Sequence, residues 1–145
     1  MLEYSPGYSV GRGTDAPFEQ IGAEWMRGQE LAAYLNRRFV PGVRFCPTRF
    51  RPDSSVLAGV LVEGVRFIIT DREAFSGQRL GSELAAALER FYPGKISLDA
   101  NRRLIGNTDV LDALAAGDDP RQIEQVSQEK LSEFLRLRTK YLLYR

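Results

Sequence analysis

The chain has 145 residues, a length typical of one domain, and its hydrophobic fraction of 43% is ordinary for a folded protein. Its net charge of +1 gives no electrostatic reason to expect nucleic acid as a partner. Histidine is absent and Cys46 is the single cysteine, which excludes Ser-His-Asp triads, internal disulfides and the usual zinc sites, so we expect no metal and no cofactor.

The first distinctive region is the loop "YSVGRGTDAPFEQIGAEW", which covers residues 8–25. Its glycines and proline interrupt any regular element. Gly11-Arg12-Gly13 does not extend to the G-x-G-x-x-G pattern of dinucleotide sites, and the loop lacks the G-K-[ST] ending of a P-loop. The composition therefore gives little support to a nucleotide site.

Two interpretations of this loop remain open. In the structural one, Thr14 or Asp15 caps a single helical turn through Pro17 to Gln20, and the glycines allow close approach of backbone segments. In the functional one, Arg12, Gly13 and Thr14 form an anion site, because a guanidinium fork and a hydroxyl sit beside small residues that let a ligand approach. Glu19 and Tyr8 are then candidates for binding sugar hydroxyls.

After the loop, apolar residues at helical spacing predict a helix from about Gln29 to Phe39, which Pro41-Gly42 ends. Val43 to Phe45 alternates as a strand does, and Pro47 restricts that strand to an edge or bulged position. Cys46 lies in the same apolar run, so we predict a small structural core residue there.

The next extended segments are Val60 to Val62 and Val65 to Thr70. The gap between them, Glu63-Gly64, predicts a two-residue hairpin turn, although Glu is not a favoured first turn residue. The run Phe67-Ile68-Ile69 is apolar on both faces of a strand. We therefore predict that residues 65–70 form the most buried strand.

The rest of the chain is predicted to be mainly helical. Apolar spacing predicts a helix from about Gln78 to Phe91, and Ile96 to Leu98 is predicted to be a short strand or extended piece. A short helix through Leu114 follows Asn107-Thr108. Asp119-Pro120 starts the last helix, which runs toward Tyr144.

These elements predict an α+β fold in which a small mixed or antiparallel sheet packs against helices and the C-terminal third is helical. The close hairpin argues against a purely parallel sheet. Residues 1–145 contain no repeat or linker and are predicted to form a single domain.

Five motifs in register carry a family resemblance. In chain order, "SVGRGTDAPFEQIGAEW", "PGVRFCPTRFRP", "GVRFIITDREAF", "LIGN" and "KYLLY" together resemble the C-terminal part of bacterial exo-β-N-acetylmuramidases, which are cell-wall glycosidases. The resemblance runs from Ser9 onward. It departs from the family at the residues that lead into "SVGRGT" and at Cys46, where a larger side chain is expected.

The resemblance implies a parent enzyme that removes N-acetylmuramic acid from the non-reducing end of peptidoglycan fragments. It implies a Rossmann-like N-terminal domain with the catalytic carboxylates, a substrate cleft near the domain junction, and a periplasmic or secreted location. We therefore expect this chain to be a non-catalytic, cleft-forming domain whose partners are that domain and a muropeptide. Arg12, the natural partner of the lactyl carboxylate, is the leading substrate-binding residue.

Two further points belong to this expectation. Asp71 and Glu73 are too close in sequence to be assigned as a glycosidase pair, so we predict that both cap the turn after Thr70. The alternative function is an autonomous interaction or scaffold domain without a sugar site, which binds a protein through its last helix and hairpin. No apolar run reaches about 18 residues, so we expect no membrane partner. We do expect self-association through an exposed face of the domain.

Overall fold

The computed structural model describes residues 2–3 and 6–142. Within these residues, strands β1, β2 and β3 form one antiparallel sheet in the order β1-β3-β2. The element bounds are β1 Gln20–Ala23, α1 Gly28–Arg37, β2 Val43–Phe50, β3 Val62–Ile69, α2 Gly77–Phe91, α3 Arg102–Ile105, α4 Thr108–Ala116 and α5 Pro120–Arg138. The predicted α+β class and the helical C-terminal third are confirmed.

Strand β1 lies inside the segment that we predicted to be a loop. It pairs with β3 from Gln20 opposite Arg66 to Ala23 opposite Glu63. Four residues with a central glycine are too few to show the alternation by which a strand is recognised in a sequence. An isolated bridge between Ser9 and Gly22 continues this edge of the sheet, so the loop that remains is confined to residues 10–19.

The predicted hairpin turn at Glu63-Gly64 is wrong, because both residues lie inside β3. Strand β2 continues through Pro47 to Phe50, and residues 51–61 connect it to β3. Gly64 serves close packing instead of a turn, since a Cβ there would lie 1.9 Å from the backbone oxygen of Ile21. The edge position predicted for the proline-containing strand is confirmed by the sheet order.

Glu63 closes the N-terminus of α1. Arg27 occupies the N-cap position of this helix, and an arginine side chain cannot accept a hydrogen bond from the helix. The Gly28 amide instead donates to the Glu63 carboxylate at 2.8 Å, and Arg49 contacts the same carboxylate at 3.0 Å. The amide and then the guanidinium lower the pKa of Glu63, so β3 is joined to α1 by an ionised side chain.

The burial predicted for residues 65–70 is correct at one end of the segment and wrong at the other. Val65 is fully buried, but Ile68 and Ile69 are 45% and 46% exposed. Ile68 points to the same face of the sheet as its exposed cross-strand partner Arg44. An apolar run cannot by itself distinguish a strand covered on both faces from one that extends past its cover.

The core lies where α1 packs on one face of the sheet, with α2 against α1 and α4 against α2. Ile96 and Leu98 belong to this core but form no strand, and a 3-10 turn follows them at Asp99–Asn101. The cap predicted at Asp119 is confirmed, since its carboxylate accepts from the Arg121 amide at 2.9 Å. No helix in the described part of the chain combines the length and apolar character needed to cross a bilayer. The last residue predicted for the final helix, Tyr144, lies outside the described residues.

Candidate functional site

The opening loop is a closed excursion from the edge of the sheet. The amides of Ser9 and Gly22 exchange hydrogen bonds with each other's carbonyls at 2.8 and 2.9 Å. Inside this bridge, the Phe18 amide donates to the Val10 carbonyl at 2.8 Å. Residues 10–18 are therefore held at both ends, which fixes where their side chains can reach.

Gly13 joins the opening loop to the loop of residues 51–61. Its φ is +73°, and a Cβ there would lie 2.6 Å from the Ser54 amide nitrogen. The Asp53 amide donates to the Gly13 carbonyl at 2.8 Å. Only glycine combines this backbone conformation with such a close approach, so the contact between the two loops depends on it.

The Thr14 hydroxyl is occupied by contacts within its own loop. It donates to the Gly11 carbonyl at 2.6 Å and accepts from the Ala16 amide at 3.1 Å and from the Gln20 side-chain amide at 2.9 Å. These contacts use the donor and both acceptor positions of a hydroxyl. The helical turn that our structural interpretation predicted at residues 17–20 does not form, and Thr14 fastens its own loop instead of capping a helix.

Arg12 is half exposed and lies at the rim of a groove. Its guanidinium forms an ion pair with Glu3 and lies 5.0 Å from the centre of the Phe18 ring. Stacking on an aromatic face and pairing with a carboxylate are the two contacts for which a planar guanidinium is suited. Arg12 is thus held in place while 48% of its side chain remains exposed to solvent.

The groove beside Arg12 has a volume of about 560 Å³ and lies between the N-terminal segment, the opening loop and the 51–61 loop. Tyr8, which is 2% exposed, contributes to its lining, and so do Ser55 and Val56 of the second loop. Of the predicted site residues, Arg12 and Tyr8 line it. Gly13 and Thr14 hold the loop behind it, and Glu19 contacts Arg66 on β3 at 3.4 Å.

Sequence reasoning missed the wall formed by Ser55 and Val56. The signal available was the run "PDSSVLAG", a cluster of turn-forming residues that predicts a loop but not its neighbours. Ser55 and Leu57 adopt positive φ values of 69° and 62°, as does Phe18 at 64°. A positive φ is rare for bulky residues and is more frequent at ligand sites than elsewhere. Both loops that border the groove contain such residues.

The carboxylates with displaced pKa values all shift in one direction. Hydrogen bonds from Lys130 lower the pKa of Asp109, and those from Arg38 lower the pKa of Asp119, as the Gly28 amide does for Glu63. Asp71 accepts from the amides of Glu73 and Ala74 at 3.0 and 3.3 Å, so the predicted capping role holds for Asp71, whereas Glu73 provides a backbone donor.

Among the described residues, no cluster of three or more Asp, Glu or Cys side chains has the arrangement of a metal site. Cys46 lies in β2 opposite Arg66 and is partly buried. The predicted core position is wrong, because Cys46 alternates with the buried Phe45 and does not belong to the core cluster.

Comparisons with known proteins agree with one another. Residues 1–144 match the family described as the C-terminal part of the exo-β-N-acetylmuramidase NamZ. The chain is 33% identical over 139 residues to the peptidoglycan β-N-acetylmuramidase NamZ of Bacillus subtilis, and the match covers 94% of this chain but 34% of that protein. The chain therefore spans about a third of this relative.

A crystal structure of a DUF1343-family protein from Bacteroides fragilis shares the fold. Its TM-score with this chain is 0.79 at 25% sequence identity, and the match covers 97% of this chain and 38% of that one. Both relatives are thus much longer than the matched region.

Proposed function

Because this chain belongs to the family of NamZ C-terminal domains, we propose that it forms one wall of a cleft for peptidoglycan sugars, while another part of the parent polypeptide supplies the catalytic carboxylates. The observation that carries the proposal is the groove with the Arg12 guanidinium at its rim. The curated relative is named as a peptidoglycan β-N-acetylmuramidase, which directs the choice of ligand toward N-acetylmuramic acid.

Arg12 has the chemistry to recognise this sugar. N-acetylmuramic acid carries a lactyl carboxylate, and a guanidinium fork binds a carboxylate through two parallel hydrogen bonds. The ion pair with Glu3 supports the assignment, because the guanidinium already holds a carboxylate at the groove rim. A ligand carboxylate would replace Glu3 there, while the contact with Phe18 keeps the guanidinium oriented.

The other predicted residues act behind the groove in this proposal. Gly13 and Thr14 position the loop through the contacts described above, and a ligand does not need to touch their side chains. Glu19 is 62% exposed and is directed toward Arg66, so its contribution would require a ligand that extends beyond the groove. We therefore propose Arg12 as the residue that contacts the sugar and Gly13 and Thr14 as positioning residues.

The ionisation of the carboxylates supports a non-catalytic role. A glycosidase needs a general acid whose pKa is raised, together with a second carboxylate at a suitable separation. The shifted carboxylates of this domain are held ionised by amides and cations instead. Asp71 accepts hydrogen bonds from two backbone amides in the turn after β3, which is a structural role.

The test compares the full-length natural protein with the same protein carrying Arg12→Ala. We expect the affinity for a muramic-acid ligand to fall about tenfold to a hundredfold, since a charge-assisted bond contributes about 1.5–3 kcal/mol. Affinity for an N-acetylglucosamine ligand, which lacks the lactyl group, should stay within about twofold of the parent value. Isothermal titration calorimetry measures both affinities.

Arg27→Ala is the matched control, because Arg27 is also an exposed arginine paired with a glutamate, Glu30 at 3.5 Å. It should leave both affinities unchanged. If Arg12→Ala lowers the melting temperature and weakens both sugars equally, Arg12 is a structural brace and the anion site does not exist.

A second candidate is an autonomous interaction domain without a sugar site. The observation that favours it is the apolar surface of α5, where Phe134 and Leu137 are more than half exposed. Such a domain would bind neither sugar in the calorimetric test, and Arg12→Ala would then have no affinity to change.

A further inference from the structure

The second half of α5 exposes large apolar side chains to water. Only Pro120 and Ile123 are buried among the described residues of this helix. A contiguous exposed apolar patch is uncommon on a monomeric protein and usually marks a contact surface. We call the following side chains the α5 stripe: Leu131 (45% exposed), Phe134 (57%), Leu135 (44%) and Leu137 (51%).

The stripe continues the face of α5 that already packs on the domain. Residues three, four, seven or eleven positions apart lie on similar faces of an α-helix. Ile123 is 8% exposed, Phe134 follows it by eleven positions, and Leu137 follows Phe134 by three. The same face is therefore buried near the start of α5, which packs on α2 and α4, and bare farther along the helix.

An apolar groove lies beside the first half of this helix. It has a volume of about 320 Å³ and is formed by α4 and α5, with Val110 and Ala113 on one side and Ile123 and Val126 on the other. Its rim carries Asp109, Asp118 and Lys130. Lys130 contacts Asp109 at 2.5 Å, so the rim keeps a net negative charge.

A basic residue lies within the stripe, and the acidic Glu133, four residues before Leu137, lies at its edge. Arg138 is four residues after Phe134 and four before Leu142, which places it on the apolar face, and it is exposed. Arg136 is two residues away and therefore lies on the other side of the helix. A basic residue in the stripe and an acidic groove rim are complementary in charge as well as in apolar character.

We propose that the groove between α4 and α5 receives the α5 stripe of a second copy of this chain. The groove lies beside the first half of α5 and the stripe occupies the second half. An antiparallel pair of α5 helices therefore places each stripe over the other copy's groove. This reciprocal arrangement is a closed two-fold dimer, in which both surfaces are satisfied at once.

The proposal goes beyond the sugar site and does not depend on it. The groove beside Arg12 is formed by the loops at residues 10–18 and 51–61, whereas the dimer uses α4 and α5. Loss of sugar binding and loss of dimerisation are separate measurements, so either idea can fail alone.

The experiment is sedimentation equilibrium of the natural protein over a concentration series, with single charge reversals on α5. Arg138→Glu should raise the dimer dissociation constant about tenfold or more, because it places a carboxylate against the acidic rim. Arg136→Glu makes the same change of charge on the opposite side of the helix and should change the constant less than about threefold. Circular dichroism confirms that both variants keep their helix content.

A second substitution tests the pairing itself. Adding Asp118→Lys to Arg138→Glu restores opposite charges between groove rim and stripe, so dimerisation should return to within about threefold of the parent. The proposal is overturned if the parent protein stays monomeric at about 100 μM, if both α5 reversals weaken it equally, or if the double variant shows no recovery. Cysteines introduced into the stripe would report its cover through their reaction with a thiol reagent. If the protein is monomeric and these cysteines do not react, the stripe is covered by another domain of the same polypeptide and the dimer does not exist.

Discussion

Removing Arg38 is expected to destabilise the protein more than removing any exposed arginine. Arg38 follows α1 and makes two forked contacts, one with Glu83 of α2 and one with Asp119 at the start of α5. The shortest distance in each fork is 2.7 Å. The two carboxylates, Asp119 first, raise the pKa of Arg38 above its ordinary value. One guanidinium thus joins three helices.

The magnitude follows from the burial of Glu83, whose side chain is 1% exposed. Arg38→Met leaves this carboxylate buried without its cation, which costs about 3–5 kcal/mol for a buried pair. For a domain of this size, that loss lowers the melting temperature by about 9–15 °C, at about 3 °C per kcal/mol. Asp119 is 41% exposed, so water can solvate it after the substitution.

Urea unfolding followed by circular dichroism measures the free energy of unfolding. Arg49→Met is the matched control, because Arg49 is 72% exposed in its pair with Glu63 and should cost about 0–1 kcal/mol. The double variant Arg38→Met/Glu83→Leu should recover most of the loss, since apolar residues can replace a buried pair. A loss below about 1 kcal/mol for Arg38→Met, or no recovery in the double variant, would refute the reasoning.

Two further predictions concern acid stability and the sheet. Arg38 lowers the folded-state pKa of Asp119, so the stabilisation is present above the ordinary carboxyl pKa and is lost as the pH falls through the lowered value. Asp119→Asn should therefore flatten the decline of the unfolding free energy between about pH 5 and pH 2 in urea titrations, and an unchanged slope would contradict this. Ile21→Ala should cost about 2–5 kcal/mol, because Ile21 is 1% exposed. Ile68→Ala, at 45% exposure, should cost about 1 kcal/mol or less, and equal losses in thermal melts would mean that the burial of β3 is wrong.

The helices were predictable because their signals are local. Asp119 and Pro120 mark the start of α5, and apolar spacing marks α1 and α2. The strand pairing was not local. Glu63 and Gly64 separate two extended segments in the sequence, which favours a turn, but the close approach of Ile21 from a distant strand decides the place of Gly64. Helix ends depend on neighbouring residues, whereas sheet register depends on contacts that the sequence does not place side by side.

The candidate site was predictable to a similar extent. An arginine between two glycines could be recognised as a possible anion ligand, and Arg12 does line a groove. The use of Thr14 could not be derived, because a hydroxyl that binds a ligand and one that fastens its own loop have the same sequence. Ser55 and Val56 were missed for a different reason. The contact between Gly13 and the second loop places them in the same groove as Arg12, and the sequence does not show that contact.

The positive φ values around the groove connect its loops to the rest of the fold. Leu57 and Phe18 hold a backbone conformation that costs about 1–3 kcal/mol at each bulky residue, so the surrounding contacts must enforce it. The enforcing contacts are the bridge between Ser9 and Gly22 and the hydrogen bond from Asp53 to Gly13. Both loops are therefore held in one shape beside Arg12, so the ligand binding that we propose there requires little further ordering of the backbone.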